Sequence, residues 1–130
     1  MRTPALAAVA FALVLVLTAC APDEVVPTEP MALDGVRFEV EALPQGEATC
    51  DPAQPFPARV TWEVRDWADP KFDLHLRSSK GQLIARHNTA KGEQRIDAYA
   101  HEGLWILLMD RNTRLLVAAK PVPALVCPPA

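Results

Sequence analysis

The stretch Ala58-Arg59-Val60-Thr61-Trp62-Glu63-Val64 places an apolar side chain at every second position and a polar or charged one between. Successive residues of a strand point to opposite faces, so this spacing fits a strand buried on one side and fits no helix. The same period recurs on either side. Val36, Phe38 and Val40 alternate with Arg37, Glu39 and Glu41, and Phe72, Leu74 and Leu76 alternate with Lys71, Asp73, His75 and Arg77. Each segment predicts an apolar row facing a core and a charged row facing water.

The second half continues in strand-length pieces. Gln82 to His87 follows the turn Ser78-Ser79-Lys80-Gly81 and predicts a strand with Leu83 and Ala85 inward. Glu93 to Tyr99 predicts another, with Ile96 and Ala98 inward. Leu104 to Met109 is apolar at every position and is bounded by Gly103 and Asp110, so its length suits a central strand. Arg114 to Ala119 pairs back across the turn Asp110-Arg111-Asn112-Thr113 as a hairpin. About seven short strands joined by polar, Gly or Pro turns predict an all-β fold, an antiparallel β-sandwich.

The Arg59 to Val64 segment, with its tryptophan in a Val-x-Trp setting, resembles the second strand of fibronectin type III and related immunoglobulin-like domains. The resemblance spans Leu33 to Cys127 and implies a two-sheet sandwich. The chain departs from the pattern in having no tyrosine on the later core strand and in placing Cys50 and Cys127 outside the strands. A fold of this kind does not identify a function.

The N-terminus carries the clearest functional signal. Arg2 precedes the uncharged run Ala5 to Leu17, which is shorter than the ~20 residues of a membrane-spanning helix. Leu17-Thr18-Ala19-Cys20 follows. A basic start, an apolar stretch and small residues before a cut are the parts of an export signal. Closed by a cysteine, they resemble the lipobox of bacterial lipoproteins. The resemblance implies that residues 1–19 are a removed signal peptide and that Cys20 becomes the first residue, bearing a diacylglycerol and a further acyl group such as palmitate. Each buried methylene contributes ~0.8 kcal/mol, and two or more chains make a stable anchor. Ala21, not Asp, follows the cysteine, which implies the outer membrane, at its periplasmic face.

Residues 20–32 contain Pro22, Pro27 and Pro30 and no apolar periodicity. They are expected to form an extended spacer reaching about 30–40 Å in the polyproline conformation. Residues 33–130 are the expected domain.

Cys20, Cys50 and Cys127 are the three cysteines. An odd count in an exported protein flags a thiol with another job. With Cys20 lipidated, Cys50 and Cys127 remain as a disulfide suited to an oxidising compartment. A metal site or a redox pair is the alternative. Neither cysteine has a second Cys or a His close in sequence, and there is no Cys-x-x-Cys. The disulfide would close a loop of about 78 residues, worth ~4–4.5 kcal/mol in the chain-entropy model.

The charge balance points to no nucleic acid. There are 13 basic and 16 acidic residues, a formal net charge of −3, and no basic stripe. Loss of Arg2 with the leader makes the exported chain more negative still. His75, His87 and His101 are spread over an outward row, a strand end and a turn, which predicts solvated histidines rather than a metal site. Ser78 and Ser79, the only serines, lie in an ordinary turn. No glycine-flanked nucleophile, zinc-binding helix motif or phosphate loop is present. These residues offer no catalytic group, and no cofactor is expected.

The aromatic residues are the better lead. Trp62 belongs to the core row. Trp67 lies in the turn Arg65-Asp66-Trp67-Ala68-Asp69-Pro70, where a large ring has less reason to be buried. If Leu104, Ile106 and Leu108 fill the core, then Trp105, Leu107 and Met109 form a second apolar face. Left open, that face marks an interaction surface. The spacer, the proline-rich loop with Phe56 or the C-terminal tail could instead cover it. The expected function is a non-enzymatic, lipid-anchored periplasmic accessory protein that binds an envelope partner. The alternative is a small-ligand-binding or hydrolase-inhibitor module acting near Trp67.

Overall fold

The computed structural model describes residues 23–129. Eight strands build it: β1 (Met31–Ala32), β2 (Val36–Ala42), β3 (Phe56–Val64), β4 (Phe72–Leu76), β5 (Leu83–His87), β6 (Lys91–Ala100), β7 (Trp105–Asp110) and β8 (Leu116–Pro121). They form two antiparallel sheets, β2-β3-β6 and β1-β8-β7-β4-β5. The chain crosses between sheets after β1, after β3, after β5 and again after β6. This exchange makes an all-β sandwich with the Greek-key character of immunoglobulin-like folds.

The alternating rows do what their spacing predicts. In β2 and β3, Val36 stands opposite Val64, Phe38 opposite Trp62 and Val40 opposite Val60. The inward rows of β3 and β4 are buried throughout, as are Leu104, Ile106 and Leu108, and they share one core with Phe38, Val117 and Val122. Core residues such as Val60, Ile106 and Leu108 are 0% exposed. At ~25 cal/mol per Å² of apolar surface, this single core supplies most of the driving force for folding.

Trp62 is the best-defined core residue. Its indole Nε1–H donates to the Thr89 carbonyl at 3.2 Å. His87 lies against the ring, with centroids 4.7 Å apart. Gly92 stands directly across on β6. A Cβ there would come within 2.3 Å of the Trp62 ring, so the ring occupies the space that any other residue would need.

The structure departs from expectation at three places. β3 begins at Phe56, which is buried and pairs with Ala100 rather than lying in a loop. The register then shifts, because Ala58 pairs with Ile96. Residues 97–99 of β6 therefore bulge, and Ala100 takes the inward place expected of Ala98, which is exposed. Pro57 sits opposite this bulge, where its missing N–H removes no ladder bond. In β5, Leu83 is 39% exposed. The register shifts at Leu74 and His75 of the neighbouring strand, and it is Ile84 that reaches the core, with Ala85.

The third departure is β1. Met31 pairs with Ala119 and Ala32 with Ala118, adding an eighth strand at the edge beside β8. Residues 23–32 are thus no free spacer. Val25 N–H donates to Ser79 Oγ at 2.7 Å, and Ser79 N–H donates back to the Val25 carbonyl at 3.0 Å. Ser78 Oγ–H donates to Glu24 at 2.5 Å, and Pro27 is buried. Serines of the β4–β5 turn and the β8 edge hold the two ends of this strap. The short stretch between them passes over the outer face of the large sheet.

Cys50 and Cys127 form the disulfide, with Cα atoms 5.7 Å apart and a sequence separation of 77. It ties the β2–β3 connection to the tail beyond β8. Both cysteines pack against the core.

Candidate interaction surfaces

Cys20 lies outside the described residues. Of the residues expected at an interaction surface, Leu107 and Met109 are buried, at 0% and 6% exposure. With Ala119 they form a second, smaller apolar cluster on the outer face of the large sheet, packed by Met31, Leu116 and Trp105. The expected open row is therefore covered. The covering segment is the strap, whose Met31 is held in place by the β1–β8 pairing. Trp105 is half-buried at the edge of this cluster.

Trp67 is likewise no free ring. It is half-buried, packs on the margin of the main core and tilts against Phe72 at a centroid distance of 5.8 Å. The turn that carries it has two aspartates in the left-handed region, Asp66 at φ 55° and Asp69 at φ 49°. Asp tolerates that conformation, and the pair folds the turn back on the strand that follows. Asn112 Nδ2 donates to the Asp69 carbonyl at 3.1 Å, joining this turn to the β7–β8 turn. None of the three main grooves is lined by Trp67.

The largest of them is an open groove of about 470 Å³ on the outer face of the large sheet, beside the strap. Met109 and Leu116 give it apolar ground, Asp23 and Val25 of the strap line it, and Lys80, Arg86, Arg111 and Arg114 bring positive charge. Asp73 organises this charge. Its carboxylate is 8% exposed by residue, accepts Arg111 Nε–H at 3.0 Å and lies 3.5 Å from Arg86 Nε. Arg111 also donates to the Asn88 side chain at 3.2 Å. A buried carboxylate shared by two guanidinium groups is satisfied and fixes both planes. Asp110, at 3% exposure, is consumed by the hairpin: it accepts Thr113 Oγ1–H at 2.5 Å and Asn112 N–H at 3.2 Å. No ion pair among the described residues engages Lys80 or Arg114. The groove can hold an anionic group against an aliphatic floor. Sequence reasoning missed it, because its parts come from the strap, both hairpin turns and four strands.

The outer face of the small sheet is different in kind. Arg59 bridges Glu41 and Glu93, each at 3.2 Å, and Lys120 reaches Glu39 at 3.3 Å. Arg37, Glu63 and Lys91 line a shallow groove of about 390 Å³ on the same face. Exposed pairs of this sort contribute ~0–1 kcal/mol each, so the face is shaped by solvation and charge pattern rather than by stability.

The histidines stand apart. His75 Nδ1–H donates to the Gly81 carbonyl at 2.9 Å, His87 Nε2–H to Gln94 Oε1 at 2.9 Å, and His101 is exposed. No group of three or more His, Cys, Asp or Glu among the described residues is placed to hold a metal ion. The Tyr99 phenol is pushed above its ordinary value of 10.0, first by partial burial and then by the charge of Asp97, with Arg77 opposing. Compared with known proteins, the chain matches no family model, no curated protein and no solved structure.

Proposed function

We propose that this is an exported, lipid-anchored envelope protein that acts without catalysis, as an accessory module recognising another envelope protein. The observation that carries the reading is the cysteine arrangement. The bond between Cys50 and Cys127 leaves Cys20 as the one cysteine outside it, at the end of Leu17-Thr18-Ala19-Cys20. A disulfide suits an oxidising compartment, and an unpaired cysteine behind an apolar leader suits lipidation. The partner role is supported by the two differently charged sheet faces, since charge pattern selects partners more than it sets affinity.

The test is Cys20→Ser in cells supplied with labelled fatty acid. The unaltered protein should take up the label and partition into detergent, and its membrane fraction should follow the outer membrane on a density gradient. The variant should remain unprocessed and unlabelled. Normal labelling of the variant would overturn the anchor, and residence in the inner membrane would overturn the sorting expected from Ala21.

A further inference from the structure

The strap decides how the protein sits on its membrane, given the lipid-anchor reading on which this inference rests. Cys20 is three residues before Asp23. Even fully extended, three residues span at most ~10–11 Å. The headgroup layer on one side of a bilayer is itself about 5–8 Å deep. Asp23 lines the groove on the outer face of the large sheet. The next two residues are fastened to the β4–β5 turn, Glu24 by Ser78 and Val25 by Ser79. The chain therefore enters the domain on this face with almost no slack, where a free spacer would have allowed tens of ångströms.

We infer that the groove face of the large sheet rests against the headgroups of the bilayer that holds Cys20, leaving the charged outer face of the small sheet pointing into the periplasm as the surface open to a protein partner. The chemistry of the two faces agrees with this arrangement. On the groove side, Lys80 and Arg114 are in no ion pair among the described residues, and Arg86 has a side chain 62% exposed. The aliphatic Leu115 lines the groove and is 56% exposed, and Val26, next to the lining Val25 on the strap, is 63% exposed. Cations interspersed with aliphatic groups suit anionic phospholipid headgroups above acyl chains. The acids of this face are spoken for, apart from Asp23: Asp73 holds Arg86 and Arg111, Asp110 holds the turn and Glu24 accepts from Ser78. The two sheets of a sandwich lie ~10 Å apart, so the small sheet's outer face stands a full layer further from the lipid. Its Arg59, Glu41 and Glu93 form an exposed ion-pair network.

The experiment uses the full, lipidated protein in vesicles containing phosphatidylglycerol, with a quencher on a fraction of the headgroups. A dye is attached at Leu115→Cys or, as the opposite-face control, at Glu93→Cys. The disulfide and the acylated Cys20 leave the introduced thiol as the reactive one. Acylation of Cys20 is measured on the same samples. Dye at position 115 should be quenched several-fold more than dye at position 93. A Gly/Ser stretch longer than the domain diameter, inserted between Pro22 and Asp23, should abolish the difference. Missing acylation would overturn the anchor reading. With acylation intact, equal quenching at both positions would overturn the orientation alone, and a difference that survives the insertion would overturn the short link as its cause.

Discussion

Single residues carry constraints that their type alone does not reveal. Gly92 precedes the strand expected from Glu93 to Tyr99, yet it lies within β6 and faces the Trp62 ring, which is 2% exposed and bonded to Thr89. Gly92→Ala should force the ring off that bond and cost ~1–3 kcal/mol, seen as a lower denaturation midpoint with unchanged slope. An unchanged midpoint would mean that the ring has room to shift. Asp110 is a second case. The turn around it was legible from Asp110-Arg111-Asn112-Thr113, but its burial was not. Asp110→Ala removes the acceptor of both the Thr113 hydroxyl and the Asn112 amide. A loss of ~1–3 kcal/mol is expected on thermal unfolding; a change within error would show that water replaces the carboxylate at no cost.

At the scale of elements, β7 shows where sequence reading stops. The run Leu104 to Met109 announced a strand apolar on both faces, and its inward row is the one that alternation assigns. What covers the other row was not legible, because residues 23–32 have no periodicity. Their attachment depends on hydrogen bonds to Ser78 and Ser79, far away in sequence. In β6 the strand and its inward Ile96 are as expected, and only the place of Ala98 is not, for a related reason. Its bulge is set by pairing with Phe56 and Ala58 on another strand, so parity counted along β6 alone places Ala98 where Ala100 belongs. The covered face makes a definite expectation. Leu107 is as inaccessible as Leu108, so Leu107→Ala should cost ~2–5 kcal/mol, comparable to Leu108→Ala. Trp105→Ala should cost less, because that ring is half-buried. Chemical denaturation of the three variants checks this ranking. A silent Leu107→Ala would show that the strap lifts readily from the sheet.

Across the whole molecule, two ties act outside the sheets' own ladders. The strap fastens the entering chain to the large sheet, and the Cys50–Cys127 bond fastens the leaving chain to the β2–β3 connection. The disulfide was legible from cysteine parity and from the lack of a second Cys or a His close in sequence to either cysteine. The strap was not, and it makes residues 23–32 part of the domain where a free spacer was expected. The two ties should also differ in how they stabilise. The strap adds native contacts, whereas the disulfide acts mainly on the unfolded chain, by closing a loop across 77 residues of separation. That closure is worth ~4–4.5 kcal/mol in the entropy model. A domain of this size has only about 5–15 kcal/mol of total stability, and ~1 kcal/mol shifts its melting temperature by roughly 4–8 °C. Reduction should therefore lower the melting temperature by tens of degrees, while far-ultraviolet circular dichroism at low temperature still reports sheet. The oxidised protein should show no reactive thiol at Cys50 or Cys127 in the native state. A melting temperature insensitive to reductant, with the thiols shown to be free by mass, would mean that the proline-rich loop and the tail are held by packing alone.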